Sequence, residues 1–299
     1  MGDVQLKHFR QNYLHGSNST KLNTVDVWIP ESFPIAPGDG KLWLMGRYIH
    51  GGAWRDPDVD SLSFEPAVKE LWKSSMRLSI AGFASINYRL SPYSSHPHDP
   101  SSPEDPSRNA HYPDHLIDVA QGLLYLEEHY HIDNRYILVG HSAGGTMAFE
   151  LHNWYMPRTM LPIPAVVLGV SGIYNFEAFI ENHREIPAYR ELMENAFPDK
   201  RLWERASPYK NRLPNYATWE QAKAIIIAHS YQDELVEEAQ SSYMLERARM
   251  PPHCKDKVHF LAATGAHDEI WASGYILADL IIKSIGILRQ AQPEQEREV

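Results

Sequence analysis

The 299-residue chain has a single cysteine, Cys254, so it can close no intrachain disulfide. That scarcity fits a reducing compartment. A chain of this length buries most of its surface on folding and needs neither a covalent nor a metal staple. Positive charge is also short: 28 Lys and Arg stand against 38 Asp and Glu, a formal net charge of −10. Phosphates require basic surface, so nucleic acid is excluded as a partner. No apolar run approaches the ~18 residues of a membrane span. The opening "MGDVQLKHFRQNYLHG" holds no apolar core of a secretion signal. Leu6 stands where a myristoylation site takes Ser or Thr. The glycosylation pattern at Asn18-Ser19-Thr20 is therefore read as chance, and the C-terminal "QPEQEREV" as a polar tail. The expectation is a soluble, cytoplasmic protein that engages neither membrane nor nucleic acid.

Internal repeats are absent as well, which removes solenoids and propellers. What remains is an alternation of two patterns. "TVDVWIP" (24–30), "LWLMGRYIH" (42–50), "IAGFASINY" (80–88), "RYILVG" (135–140), "PAVVLGVSG" (164–172), "KAIIIAHS" (223–230) and "KVHFLAAT" (257–264) read as strands. The later runs are almost continuously apolar, as expected of strands covered on both faces. "FEPAVKELWKSSMRLS" (64–79), "HLIDVAQGLLYLEEHY" (115–130) and "GGTMAFELHNWYM" (144–156) have helical spacing. In the second, Leu116, Val119, Leu123 and Leu126 share one side. Alternating strands and helices predict an α/β fold with a mainly parallel central sheet flanked by helices. One domain is expected over 1–299. Two segments interrupt it: a Pro/Ser/Asp/His-rich surface loop at about 91–113, and an aromatic-rich, cap-like insertion at about 174–216.

Parallel sheets carry their sites in loops at the carboxyl ends of strands. Three such loops hold reactive side chains. After "RYILVG" comes Gly140-His141-Ser142-Ala143-Gly144, a G-x-S-x-G pattern between a strand and a helix. A serine on so sharp a turn is a candidate nucleophile, and bulk at Gly140 or Gly144 would strike the neighbouring chain. The helix that follows turns its N–H groups and positive end toward the site. Asp233 lies just past "KAIIIAHS", and His267 just past "KVHFLAAT". In this order His267 would take the Ser142 proton while Asp233 orients the imidazole. Asp233 could equally cap a helix starting near Leu235. Asp268, Glu234 and Glu237 are rival acids, and His253 and His259 rival bases.

The early strand "LWLMGRYIH" runs into His50-Gly51-Gly52-Ala53-Trp54. Glycines there let the backbone itself approach a substrate oxygen. Gly51 or Gly52, with the N–H of Ala143, is the expected oxyanion hole, and His50 braces the loop.

Together "HGGAW", "INYRLSP", "GHSAGG", "HSYQDELV" and "GAHDEI" resemble kynurenine formamidases of the α/β-hydrolase type, especially the fungal branch. The resemblance covers roughly 42–270. It implies hydrolysis of N-formyl-L-kynurenine to kynurenine and formate, a step of tryptophan degradation on the route to NAD. It implies Ser142 as nucleophile, Asp233 as acid, His267 as base and the HGGAW glycines as oxyanion loop, with no cofactor and no metal. Ala53 departs from the HGGG of the broader esterases, and Trp54 follows it as in formamidases.

Other roles stay open at this level. Trp54 either stacks on the substrate ring or packs beneath its loop. Tyr174 either lines the pocket or belongs to the core. Arg89 in "NYRL" is read as a scaffold residue. His96, Pro97, His98 and Asp99 are read as solvated loop, since no HExxH or paired-cysteine pattern accompanies them. A carboxylesterase of the hormone-sensitive-lipase type would share the same three residues. An inactive hydrolase-like binding protein would ordinarily have lost one of them. Oligomeric state, a homodimer included, cannot be read from the sequence.

Overall fold

The computed structural model describes residues 5–17, 19–31, 43–151, 161–211 and 217–291, with the backbone alone at 43–47. Asn18, Leu42, the 152–156 end of the third helical reading, the 212–216 end of the cap-like insertion and the C-terminal tail lie outside the described residues. All seven apolar runs form strands: β2 (Thr24–Pro30), β3 (Trp43–Ile49), β4 (Phe83–Ile86), β5 (Tyr136–His141), β6 (Val166–Val170), β7 (Ala224–Ser230) and β8 (Val258–Ala263). An eighth strand, β1 (Leu6–Asn12), precedes them and escaped the sequence reading. The sheet order is β1-β2-β4-β3-β5-β6-β7-β8. β2 runs antiparallel to β1 and β4, and every other pairing is parallel.

Period-two alternation deals the strand residues to two cores. Leu138, Val167, Ile225 and Ile227 join one, with Val119, Leu123 and Leu126 of α2 (Asp114–Tyr130), Met147 of α3 (Ala143–Glu150) and Met244 of α7 (Ala239–Arg249). Ile137, Val139, Leu168 and Ile226 join the other, with Val68 and Leu71 of α1 (Glu65–Lys73) and Leu277, Ile281 and Ile285 of α8 (Tyr275–Ala291). The sheet is thus covered on both faces, which explains why the strands read as unbroken apolar runs.

The two insertions meet over this frame. The second carries α4 (Phe176–Asn182), α5 (Pro187–Ala196) and α6 (Trp203–Ala206). Main-chain and side-chain bonds lace the 91–113 loop to α5: Tyr112 N–H donates to Ala196 O at 2.8 Å, and Asn195 Nδ2 to Pro92 O at 3.2 Å. The loop is less open to water than its composition suggests. His96 and Arg108 are buried, and Arg108 Nη1 bonds Asp99 Oδ2 at 2.8 Å. Among the described residues no helix is long and apolar enough to cross a membrane.

Candidate active site

β5 is buried along its whole length and ends one residue before Ser142. Ser142 sits at φ 54°, ψ −124°, its N–H donating to Val170 O at 2.9 Å on β6. A left-handed φ at a residue with a side chain costs of order 1–3 kcal/mol and persists only where packing imposes it. Here packing does. A side chain at Gly140 would overlap the carbonyl of Gly144, and one at Gly144 would overlap the carbonyl of Ile49 at the end of β3. Only hydrogen at both positions lets β5 turn straight into α3. Ser142 Oγ makes no hydrogen bond among the described residues, and it opens on a cavity shared with His267.

Asp233 and His267 meet as the strand order requires. Asp233 Oδ2 lies 2.8 Å from His267 Nδ1, and both side chains are buried. Asp233 Oδ1 accepts from the N–H groups of Leu235 (3.0 Å) and Val236 (2.9 Å). The capping role and the histidine-orienting geometry therefore coexist, one oxygen each, although the segment is a turn and the helix starts only at Ala239. Burial pushes the Asp233 carboxyl upward. The hydrogen bond and charge of His267 and the Val236 N–H outweigh it and hold the group well below the usual carboxylate range. The rivals are engaged elsewhere. Asp268 Oδ1 accepts from Trp271 Nε1 at 3.0 Å, and Glu237 bonds Asn182 and Gln240. Glu234 accepts the backbone N–H of His267 at 3.0 Å, and so steadies the loop.

On the β3 side, Gly51 is so close to the serine that a Cβ there would lie 3.0 Å from Ser142 Cβ. Gly52 turns at φ +77° and lines the cavity. Ala143 opens α3, where first-turn N–H groups have no acceptor within the helix. Beneath the loop the His50 ring stacks on Tyr88 at 4.2 Å, and the Tyr88 hydroxyl reaches the His50 and Gly51 carbonyls at 3.0 and 2.8 Å. Burial pushes the His50 imidazole down to about 4, so it is neutral at pH 7.

Trp54 and Tyr174, each left open by the sequence between substrate contact and packing, both lie in the core rather than on the cavity wall. Trp54 is 1% exposed, and its ring packs edge-on against Phe176 and Phe197. Left-handed backbone at Ala53 (φ 47°) and Trp54 (φ 60°) sends the indole into the core while Ala53 and Arg55 reach the cavity wall. Tyr174 is also fully buried, its ring against Phe149 and its hydroxyl in the slot left by Gly169. Arg89 forks onto Asp118 of α2, Nε to Oδ2 at 2.8 Å and Nη2 to Oδ1 at 3.0 Å, away from the cavity. His96 is not solvated: its Nε2 faces Asp56 and Asp58 at 3.6 and 3.5 Å, and these three are grouped closely enough to share a cation.

The cavity measures about 340 Å³. Ser142, His267, Gly52 and Ala53 form its floor at the strand ends, with Arg55 and Asp56 beside them. Phe179, Tyr189 and Leu192 close it from the cap, and Tyr93 from the 91–113 loop. The sequence reading did not single out Arg55, Tyr93 or Leu192. Arg55 alone carried a signal, its place directly after the oxyanion loop.

This fold, with a serine at a strained strand-to-helix turn beside a His–Asp pair, defines an α/β-hydrolase. The BD-FAE family model matches residues 47–248. Among solved structures, esterase B of Lactobacillus rhamnosis superposes with a TM-score of 0.65, covering 97% of this chain and 86% of that one at 13% identity. A kynurenine formamidase-like hydrolase of Fusarium equiseti, fscH, is 34% identical over 93% of this chain and 94% of its own. The kynurenine formamidase avaC of Aspergillus versicolor is 35% identical, with 87% and 93% covered. The chain belongs to the kynurenine formamidase family of α/β-hydrolases.

Proposed function

We propose that this chain is a serine-dependent amide hydrolase that cleaves the formamide of N-formyl-L-kynurenine to L-kynurenine and formate. The observation that carries this reading is the 2.8 Å His267–Asp233 contact on the same cavity as Ser142, in a chain of this family. Ser142 Oγ adds to the formyl carbon as its proton passes to His267 Nε2. The N–H groups of Gly51 or Gly52 and Ala143 receive the negative charge on the carbonyl oxygen. Asp233, held ionised far below neutral pH, keeps the imidazole aligned and stabilises it once charged. His267 then protonates the departing aryl nitrogen, and the C–N bond breaks. Water, deprotonated by His267, attacks the formyl-enzyme and releases formate. An aniline is a better leaving group than an alkyl amine, so this machinery suffices without a cofactor.

The formyl group is small, and specificity must come from the leaving group. A cavity closed by Phe179, Leu192 and Tyr189 suits an aryl ring. We place residues 1–299 in one working domain, with a small molecule as its partner and the cytoplasm as its compartment. The free, buried Cys254 agrees with that compartment.

Formate release from N-formyl-L-kynurenine is the direct test. The wild type should turn the substrate over, and Ser142→Ala should lose at least about 10⁴-fold in kcat. A wild type that prefers p-nitrophenyl acetate to N-formyl-L-kynurenine by kcat/KM would replace this reading with an esterase.

A further inference from the structure

The proposed substrate carries an amino-acid head as well as its formanilide, and nothing above says what binds that head. Arg55 has the properties required. It lies one residue beyond the HGGAW loop and lines the same cavity as Ser142 and His267. Its side chain is only 8% exposed, so its charge is held largely away from water. Its plane is fixed by Tyr93, with the guanidinium carbon 3.9 Å from the ring centroid. Among the described residues one of its five N–H donors is engaged: Nη1 donates to Glu191 Oε1 at 2.9 Å. Glu191 is itself half-exposed, so its carboxylate is solvated in part and answers the buried cation weakly.

A nearly buried guanidinium with unused donors at a cavity wall is a receptor for a carboxylate, which it can grip through two parallel hydrogen bonds. Arg89, the arginine that the sequence made conspicuous, cannot serve, because Asp118 already occupies its fork. The other charges agree with a zwitterionic guest. Asp56 and Asp268 line the same cavity and favour an ammonium group, whereas the apolar Ile173, Phe179 and Leu192 favour the ring between head and formyl group.

We propose that Arg55 binds the α-carboxylate of the substrate and thereby sets the preference for an amino-acid formanilide over a plain one. This rests on the formamidase reading. Glu191 holds the guanidinium in place and shares it when the substrate enters.

The test compares N-formyl-L-kynurenine with N-(2-acetylphenyl)formamide, which keeps the aryl ketone and formamide and lacks the amino-acid head. Wild type that hydrolyses neither defeats the formamidase reading itself. If wild type is active, Arg55→Met should lower the ratio of the two kcat/KM values about 100-fold, mainly through KM for the full substrate. Arg55→Lys, which keeps a point charge without the fork, should recover part of that loss. A ratio unchanged within about twofold in both variants overturns the proposal while leaving the formamidase reading intact. A second measurement needs no variant. L-Kynurenine should inhibit wild type far more strongly than kynuramine, which lacks only the carboxylate, and equal inhibition would overturn the proposal as well.

Discussion

The floor and the roof of the cavity are built by different rules. Ser142, Asp233, His267 and Gly52 each follow the end of a strand, and the sheet fixes their spacing. Phe179 comes from α4, Tyr189 and Leu192 from α5 and Tyr93 from the 91–113 loop, so no strand register fixes them. Apolar packing of the cap, as of Phe176 and Phe197 on Trp54, and single bonds such as Tyr189 Oη to Leu235 O at 3.1 Å hold them. The floor needs groups placed to within fractions of an ångström, because charge moves there during reaction. The roof needs only to offer apolar surface of suitable shape, and a few carbons more or less change affinity by modest factors. On the proposed reading the floor sets the reaction type, while the roof selects the ring of the leaving group and Arg55, beside the floor, its carboxylate head.

The largest effect that would test this division is on the floor. Asp233→Asn keeps the shape but cannot hold the imidazole in the same tautomer or stabilise its charged form. It should lower kcat about 10⁴-fold with KM little changed. Steady-state kinetics checks this. A loss below tenfold would show that Asp233 is only the cap that its Oδ1 already makes to Leu235 and Val236. On the roof, Leu192→Ala removes apolar contact with the leaving group. KM should rise about tenfold while kcat stays within about twofold. If kcat fell instead, the roof would be shaping the reacting geometry, and the division would fail.

The same contrast governs what could be read from the sequence. β5 and β7 announce themselves because strands covered on both faces are almost wholly apolar. β8, at the sheet edge and only partly buried, still reads as an apolar run, and the reactive residues follow all three directly. β1 does not. As an edge strand it shows no apolar stripe, with the burial pattern of Lys7–Asn12 almost wholly open. It is anchored instead by Arg10 and His8 on the buried Asp26 of β2, at 2.7 and 2.8 Å. Trp54 was legible as part of a motif but not as a direction, since three consecutive positive φ angles at Gly52, Ala53 and Trp54 reverse the side-chain order that an extended chain would give. Arg55 was overlooked for the same reason. The roof was legible as two insertions but not residue by residue, because apolar residues that face a cavity look in sequence like residues that face a core.

The smallest expected effect lies under the floor. α3 carries Ser142 at its N-terminus and Glu150 at its last turn. Glu150 is 2% exposed, and neither carboxyl oxygen has a hydrogen-bond partner among the described residues. Burial pushes its pKa well above the ordinary value of 4.5. The negative end of the helix opposes its ionisation further. An acid raised in the folded state leaves full stability below the unfolded pKa, because both states then keep the proton. As pH rises through that value the unfolded chain ionises first, and stability falls until the folded pKa is reached. Glu150→Gln has nearly the same shape and no such loss. Its Tm should exceed that of wild type by about 2–4 °C at pH 7.5, with the gap closing near pH 4. kcat and KM for N-formyl-L-kynurenine should be unchanged, since Glu150 is absent from the cavity wall. Thermal unfolding at the two pH values decides. A gap equal at both would mean that ionisation of Glu150 is not what weakens the floor.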